Sequence, residues 1–193
     1  MNDTSIHTKK DSHFDSIKEG GNDQYPLVAI VILNWNGKVF LNKFLPSVLE
    51  STYKNKRIIL ADNASTDDTW EIIEALGKID KRVHAYRFTT NVGFQNSILF
   101  NLSQATGDAV VQIDADLQDP PELIIDMFAK MDQGYEVVYA KRNNRNGESW
   151  LKKFTAKVFY RILKSITSVK IPVDTGDFRI IDRKVVNVLN QMP

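Results

Sequence analysis

A chain of 193 residues, 42% of them hydrophobic, has enough material for one globular domain with a substantial core. Its formal net charge of +1 provides no global field for nucleic acid, and the absence of cysteine excludes a disulfide framework and cysteine-based metal or redox chemistry. No run reaches the ~20 apolar residues of a membrane helix, and the N-terminus lacks the apolar stretch of a signal peptide, so a cytoplasmic setting is the expectation.

Residues 1–24 are polar and read as a disordered tail; His7 and His13 lie in it as solvated side chains. The run 27–33, LVAIVIL, reads as a buried parallel strand, followed by the loop Asn34-Trp35-Asn36-Gly37. Phe40, Leu41, Phe44, Leu45, Val48 and Leu49 then recur with helical period, and Pro46 is expected to split or kink that helix. Residues 57–61 form a second strand ending at Asp62-Asn63. Ser65 or Thr66 is expected to cap the next helix, with Asp67 and Asp68 in its first turn and Gly77 at its end.

A weaker strand over 83–88 is expected near a sheet edge. The turn Asn91-Val92-Gly93 leads into a helix through Leu99, Leu102 and Ala105 that Gly107 closes. A strand over 109–113, a helix over 121–131 and a strand over 136–140 follow. Strict alternation of strands and helices predicts an α/β fold with a mostly parallel sheet and helices on both faces. The first strand is not followed by Gly-x-Gly-x-x-Gly, and no Walker A motif occurs, which argues against dinucleotide and P-loop chemistry.

The chemistry concentrates in 110–122, VVQIDADLQDPPE. On an extended segment residues two apart point the same way, so Asp114 and Asp116 project together at a strand's C-terminal end, the edge where open α/β sheets bind ligands. Two like charges that close favour a cation between them. Oxygen donors select a hard ion, Mg²⁺ or Mn²⁺, with Gln118 as a third ligand. Read alone, Asp-x-Asp is more often a solvated turn or a helix cap; its place after an apolar strand and before Pro120-Pro121 favours the ion. Asn34, Asp62 and Asn63 offer carbonyls and a carboxylate that can read the edge of a base, although Asp62 can equally serve its own loop.

Beyond residue 140 the composition turns basic: nine Lys or Arg between 141 and 170 face only Glu148. Trp150, Leu151, Phe154, Val158, Phe159, Ile162, Leu163 and Ile166 recur at helical spacing, as in a helix lying on an anionic bilayer or in an ordinary surface helix. Lys141 and Arg142, at a strand end near the acids, suit phosphate oxygens. Asp182 is expected to cap a last helix over 183–189, after a short strand over 178–181.

From about Val28 onward the chain resembles the inverting family-two glycosyltransferases of the GT-A fold. It is most similar to the polyprenyl-phosphate hexosyltransferases, the dolichol-phosphate mannose synthases and bactoprenol glucosyltransferases. DADLQDPPE (114–122), TGDFRIIDRKVV (175–186) and KRNNR (141–145), followed by Lys152-Lys153-Phe154-Thr155-Ala156 and Phe159-Tyr160-Arg161, carry the resemblance.

It implies that Asp62 reads the base and that Asn91 and Gly93 belong to the donor site. Asp114, Asp116 and Gln118 would form the metal and diphosphate site. Arg142 would hold an acceptor phosphate, and Asp177 would lie on the acceptor side as base for a hydroxyl acceptor. The sequence departs from the pattern in its Asn-Trp-Asn-Gly loop, in Phe94 where the family's turn has lysine, and in lacking C-terminal membrane helices, which marks 25–193 as a truncated domain.

The expected reaction moves a hexose from a nucleoside-diphosphate sugar, a UDP-sugar first, to a polyprenyl phosphate at the inner membrane face. The alternatives are a saccharide hydroxyl acceptor in cell-surface polysaccharide synthesis and a fragment that binds nucleotide sugar without turnover. A homo-oligomer is compatible with the sequence. A nucleotidyltransferase would begin with a Gly-rich loop that is absent here.

Overall fold

The computed structural model describes residues 26–51, 53–115, 119–141 and 175–192. Two units are distinguished: Met1–Tyr139 with Asp177–Pro193, and Ala140–Gly176. The first carries almost everything described below. The expected tail, Asp116, Gln118, Arg142 and the basic apolar stripe of 150–166 lie outside the described residues.

Among the described residues six strands form one sheet. They are β1 (Val28–Asn34), β2 (Lys56–Asp62), β3 (Val83–Arg87), β4 (Ala109–Gln112), β5 (Val137–Lys141) and β6 (Thr175–Asp182), in the order β3-β2-β1-β4-β6-β5. β1 pairs in parallel with β2 and β4, and β2 with β3, whereas β6 runs antiparallel to β4. The helices described are α1 (Lys38–Glu50), α2 (Thr69–Ile79), α3 (Phe94–Gln104), α4 (Leu123–Asp132) and α5 (Arg183–Leu189). The expected α/β sheet is therefore present, with β3 at an edge as its weaker alternation suggested.

Both faces of the central strands are covered, which is why their sequences are continuously apolar. Ala29, Val31, Ile59 and Val110 pack against Ile98 and Leu102 of α3 and Val186 of α5. Burying each large aliphatic side chain contributes about 1.5–3 kcal/mol, which anchors these strands.

Several boundaries differ from the sequence reading. Pro46 does not split α1, which runs unbroken from Lys38 to Glu50. Asn42, whose carbonyl loses its helical donor, and Pro46 are both exposed, so water can replace the missing bond. Gly77 does not end α2, which continues to Ile79. It marks a close approach instead: a Cβ there would lie 3.4 Å from the Ala85 Cβ of β3.

α2 also starts later than expected, at Thr69, because Ser65 and Thr66 are engaged by the neighbouring loop. α4 starts at Leu123, since residues 120–122 form a turn in which the Leu123 and Ile124 amides bond the Pro120 and Pro121 carbonyls at 3.2 Å. Asp182 caps α5 as expected, accepting from the Lys184 amide at 2.8 Å.

Candidate donor site

Because β1, β2 and β4 run parallel, their C-terminal ends share one edge, where Asn34 stands directly across from Asp62. Asn34 is 5% exposed, and its Nδ2 has no hydrogen-bond partner among the described residues. A buried N–H left open is costly, and a bound oxygen would satisfy it. Its Oδ1 lies over Gly37, where a Cβ would stand 2.0 Å away, so glycine there makes room for this amide.

Asp62 is wholly buried. The Ser65 amide donates to both of its carboxylate oxygens, at 3.2 and 3.3 Å, and Arg87 on β3 reaches Oδ2 with Nε at 3.3 Å. The bonds observed are those of a residue bracing its own loop. Between them Ala64 adopts φ 60°, a left-handed conformation that costs a non-glycine residue roughly 1–2 kcal/mol.

The β1–α1 loop is tied to this one. The Asn36 amide donates to Ser65 Oγ at 2.8 Å, and the Thr66 amide to Asn36 Oδ1 at 2.8 Å. Lys38 pairs with Asp68, which raises the lysine pKa above its ordinary range through a direct hydrogen bond and charge attraction. Asp67 is held below the usual carboxylate range by donation from the Thr69 hydroxyl.

Asn63 ties in the third loop. Its amide donates to the Asn34 carbonyl at 2.9 Å, its Nδ2 to Asn91 Oδ1 at 3.0 Å, and its Oδ1 accepts from the Val92 amide at 3.0 Å. Gly93 donates to Asn91 Oδ1 at 2.9 Å and adopts φ +82°, a conformation suited to glycine at the entrance to α3.

Asp114 is half-buried, two residues beyond Gln112. Gln112 is 1% exposed, and its Oε1 accepts from Arg179 Nε at 3.1 Å and Nη2 at 2.7 Å. These two residues are register partners across β4 and β6. Asp177 is exposed and precedes Arg179 by two residues on β6, so the antiparallel register brings Asp114 and Asp177 to the same end of the sheet.

A sequence model described as glycosyl transferase family 2 matches residues 29–189, from the second residue of β1 to the end of α5. The chain belongs to glycosyl transferase family 2. An uncharacterized glycosyltransferase of Bacillus subtilis, YkcC, is 42% identical over 167 residues, 85% of this chain and 52% of the relative. A prophage bactoprenol glucosyl transferase homolog of Escherichia coli is 40% identical over 136 residues, 70% of this chain and 44% of the relative.

Among solved structures, a mannosyltransferase of Pyrobaculum calidifontis in complex with GDP-Man and Mn²⁺ superposes with a TM-score of 0.62 at 20% identity. That match covers 87% of this chain and 48% of the other, and it supports the GT-A fold. The chain spans about half the length of the curated relatives it matches.

Within this family 2 domain, the fold brings Asn34, Asp62, Asn63, Asn91, Gly93 and Asp114 to the strand ends and loops of one sheet edge. Asp116, Gln118 and Arg142 lie outside the described residues, and among the described residues no three His, Cys, Asp or Glu side chains gather as a metal site. The half-buried Asp114 at the sheet edge and the all-oxygen character of the set Asp114, Asp116 and Gln118 fit a hard divalent ion.

Three features escaped the sequence reading: Arg87 paired with Asp62, the Gln112–Arg179 pair, and the 58% exposure of Trp35 in the first loop. Only the last had a local signal, an aromatic residue amid polar loop neighbours.

Proposed function

We propose that this domain transfers a hexose from a nucleoside-diphosphate sugar to a polyprenyl phosphate and inverts the anomeric carbon. A UDP-sugar is the first donor to test. The observation that carries this reading is the convergence of Asn34, Asp62 and Asp114 on the edge of a family 2 sheet, continuous in sequence with DADLQDPPE. The bactoprenol name of the Escherichia coli relative supports a lipid phosphate as acceptor.

Asp62 would accept a base N–H, and Asn34 would give its open Nδ2 donor to a donor-sugar oxygen. Asp114, Asp116 and Gln118 would hold Mg²⁺ or Mn²⁺, which when bound supplies positive charge against the leaving diphosphate. A phosphate acceptor is largely ionised near neutral pH and requires no strong base. Arg142 would orient it and offset repulsion between two anions.

Asp177 belongs to the acceptor side and would act as general base if the acceptor were a saccharide hydroxyl. The basic residues of 141–170 support work at an anionic membrane face. Among the described residues no helix is long and apolar enough to cross a membrane.

The test is release of UDP from UDP-glucose by the full chain, with and without a short polyprenyl phosphate, in Mg²⁺ or Mn²⁺ and after chelation. Release that depends on both the lipid phosphate and the ion supports the reading. Nucleotide binding without release under any condition favours a binding fragment. Asp177→Asn separates the acceptors: a small loss fits a phosphate, and a loss of 10²-fold or more fits a hydroxyl.

A further inference from the structure

We propose that Arg87 is a positioning residue that gives the domain its preference among nucleotide bases, acting through Asp62. The inference rests on the base-reading role proposed for Asp62. Arg87 lies on β3, the edge strand, directly across from Asp62 in the parallel register. Its Nε stands 3.3 Å from the carboxylate, its Nη2 donates to the Ser65 carbonyl at 3.4 Å, and its guanidinium lies 5.6 Å from the centre of the Trp70 ring.

Three elements therefore hold one planar cation: a ring on α2, a carbonyl in the loop and a buried carboxylate on β2. A guanidinium held over an indole and by a carbonyl loses less freedom when it pairs with a carboxylate, so its position beside Asp62 is favoured before any nucleotide arrives.

The charge it faces is an unusual one to bury. Asp62 has no exposure, and the amide of Ser65, a neutral group, also donates to it. A carboxylate in that position is oriented by the cation beside it. Its charge has a chemical consequence. A carboxylate is only an acceptor, so it favours a base edge that presents an N–H, as uracil and guanine do at the ring nitrogen. At that ring position cytosine and adenine present a bare nitrogen, whose lone pair would face the carboxylate. A site built around a buried hydrogen bond rejects the wrong partner more strongly than an apolar pocket does. Arg87 thus sets selectivity from a strand that need not touch the nucleotide.

The test compares binding of UDP with CDP, and of GDP with ADP, by equilibrium titration of the full chain. The unmodified chain is expected to prefer one member of at least one pair, UDP or GDP, by tenfold or more. Arg87→Ala should reduce that preference to within about threefold, Arg87→Lys should keep part of it, and Trp70→Leu should weaken it less than Arg87→Ala. Thermal unfolding of each variant separates lost selectivity from lost fold, and Trp70→Leu leaves both charged groups in place should Arg87→Ala fold poorly. A preference that survives Arg87→Ala but falls in Asp62→Asn overturns the part given to Arg87. A preference that survives both, or none in the unmodified chain, overturns the base-reading role of Asp62 and the inference with it.

Discussion

β2 carries a buried charge at each end, and the two ends are built differently. At its start Lys56 is 4% exposed and donates to the carbonyl and hydroxyl of Ser51, at 2.9 and 2.7 Å. Burial, aided by the nearby Arg82 and Lys54 charges, lowers its pKa to about 8. Ser51 follows the last turn of α1, so the ammonium finishes a helix end, and the arrangement is local. At the other end Asp62 is held from β3 and from its own loop, and that loop is bonded to the loops after β1 and β3. One end of the strand closes a structure, and the other connects three segments around the C-terminal edge of the sheet.

The largest effect tests whether that edge does the chemistry. Asp116→Ala should lower UDP release by 10³-fold or more, about 4 kcal/mol of transition-state stabilisation, with the thermal midpoint little changed. Equal turnover in the variant removes the metal-site proposal.

The opposite end predicts a stability effect without a catalytic one. In the folded chain Lys56 loses its proton near pH 8, whereas an unfolded lysine keeps it to about 10.5. Between those values the unfolded state binds more protons, so this group makes stability rise with pH. The stability gained over that window disappears as pH falls back to about 8. Urea titrations from pH 7 to 10.5 should show that rise in the parent chain and lose it in Lys56→Met.

Gly37→Ala sharpens the contrast from the site side. A Cβ 2.0 Å from Asn34 Oδ1 must displace that amide. A loss of about 2 kcal/mol, read as weaker nucleotide binding or a lower midpoint, is expected. The smallest effect belongs to Asp182→Ala, which removes the α5 cap away from the donor edge. It should cost about 1 kcal/mol in denaturant unfolding and leave nucleotide binding as it was.

The order of elements was legible because burial on both faces writes continuous apolar runs, such as 27–33, and because Asp182 caps within its own segment. The place of Asp114 just beyond a strand was legible for the same reason. What escaped reading depends on partners distant in sequence. Arg87 finds Asp62 only through the parallel register, and Arg179 finds Gln112 across 67 positions through an antiparallel one. Gly77 looked like a helix end because a local signal cannot show that Ala85 approaches it. Lys56 lay outside the strand read over 57–61, since nothing nearby in sequence announces that it opens β2 and that the α1 terminus will cover it.

Asn63 uses its backbone amide and both ends of its side chain to fasten segments that follow three different strands. Transplanting one of those segments from a cousin with another sugar preference would leave its two companions without their clasp. Swaps meant to retarget such a domain should therefore carry the trio as a single cassette, and natural changes of donor would be expected to alter all three together.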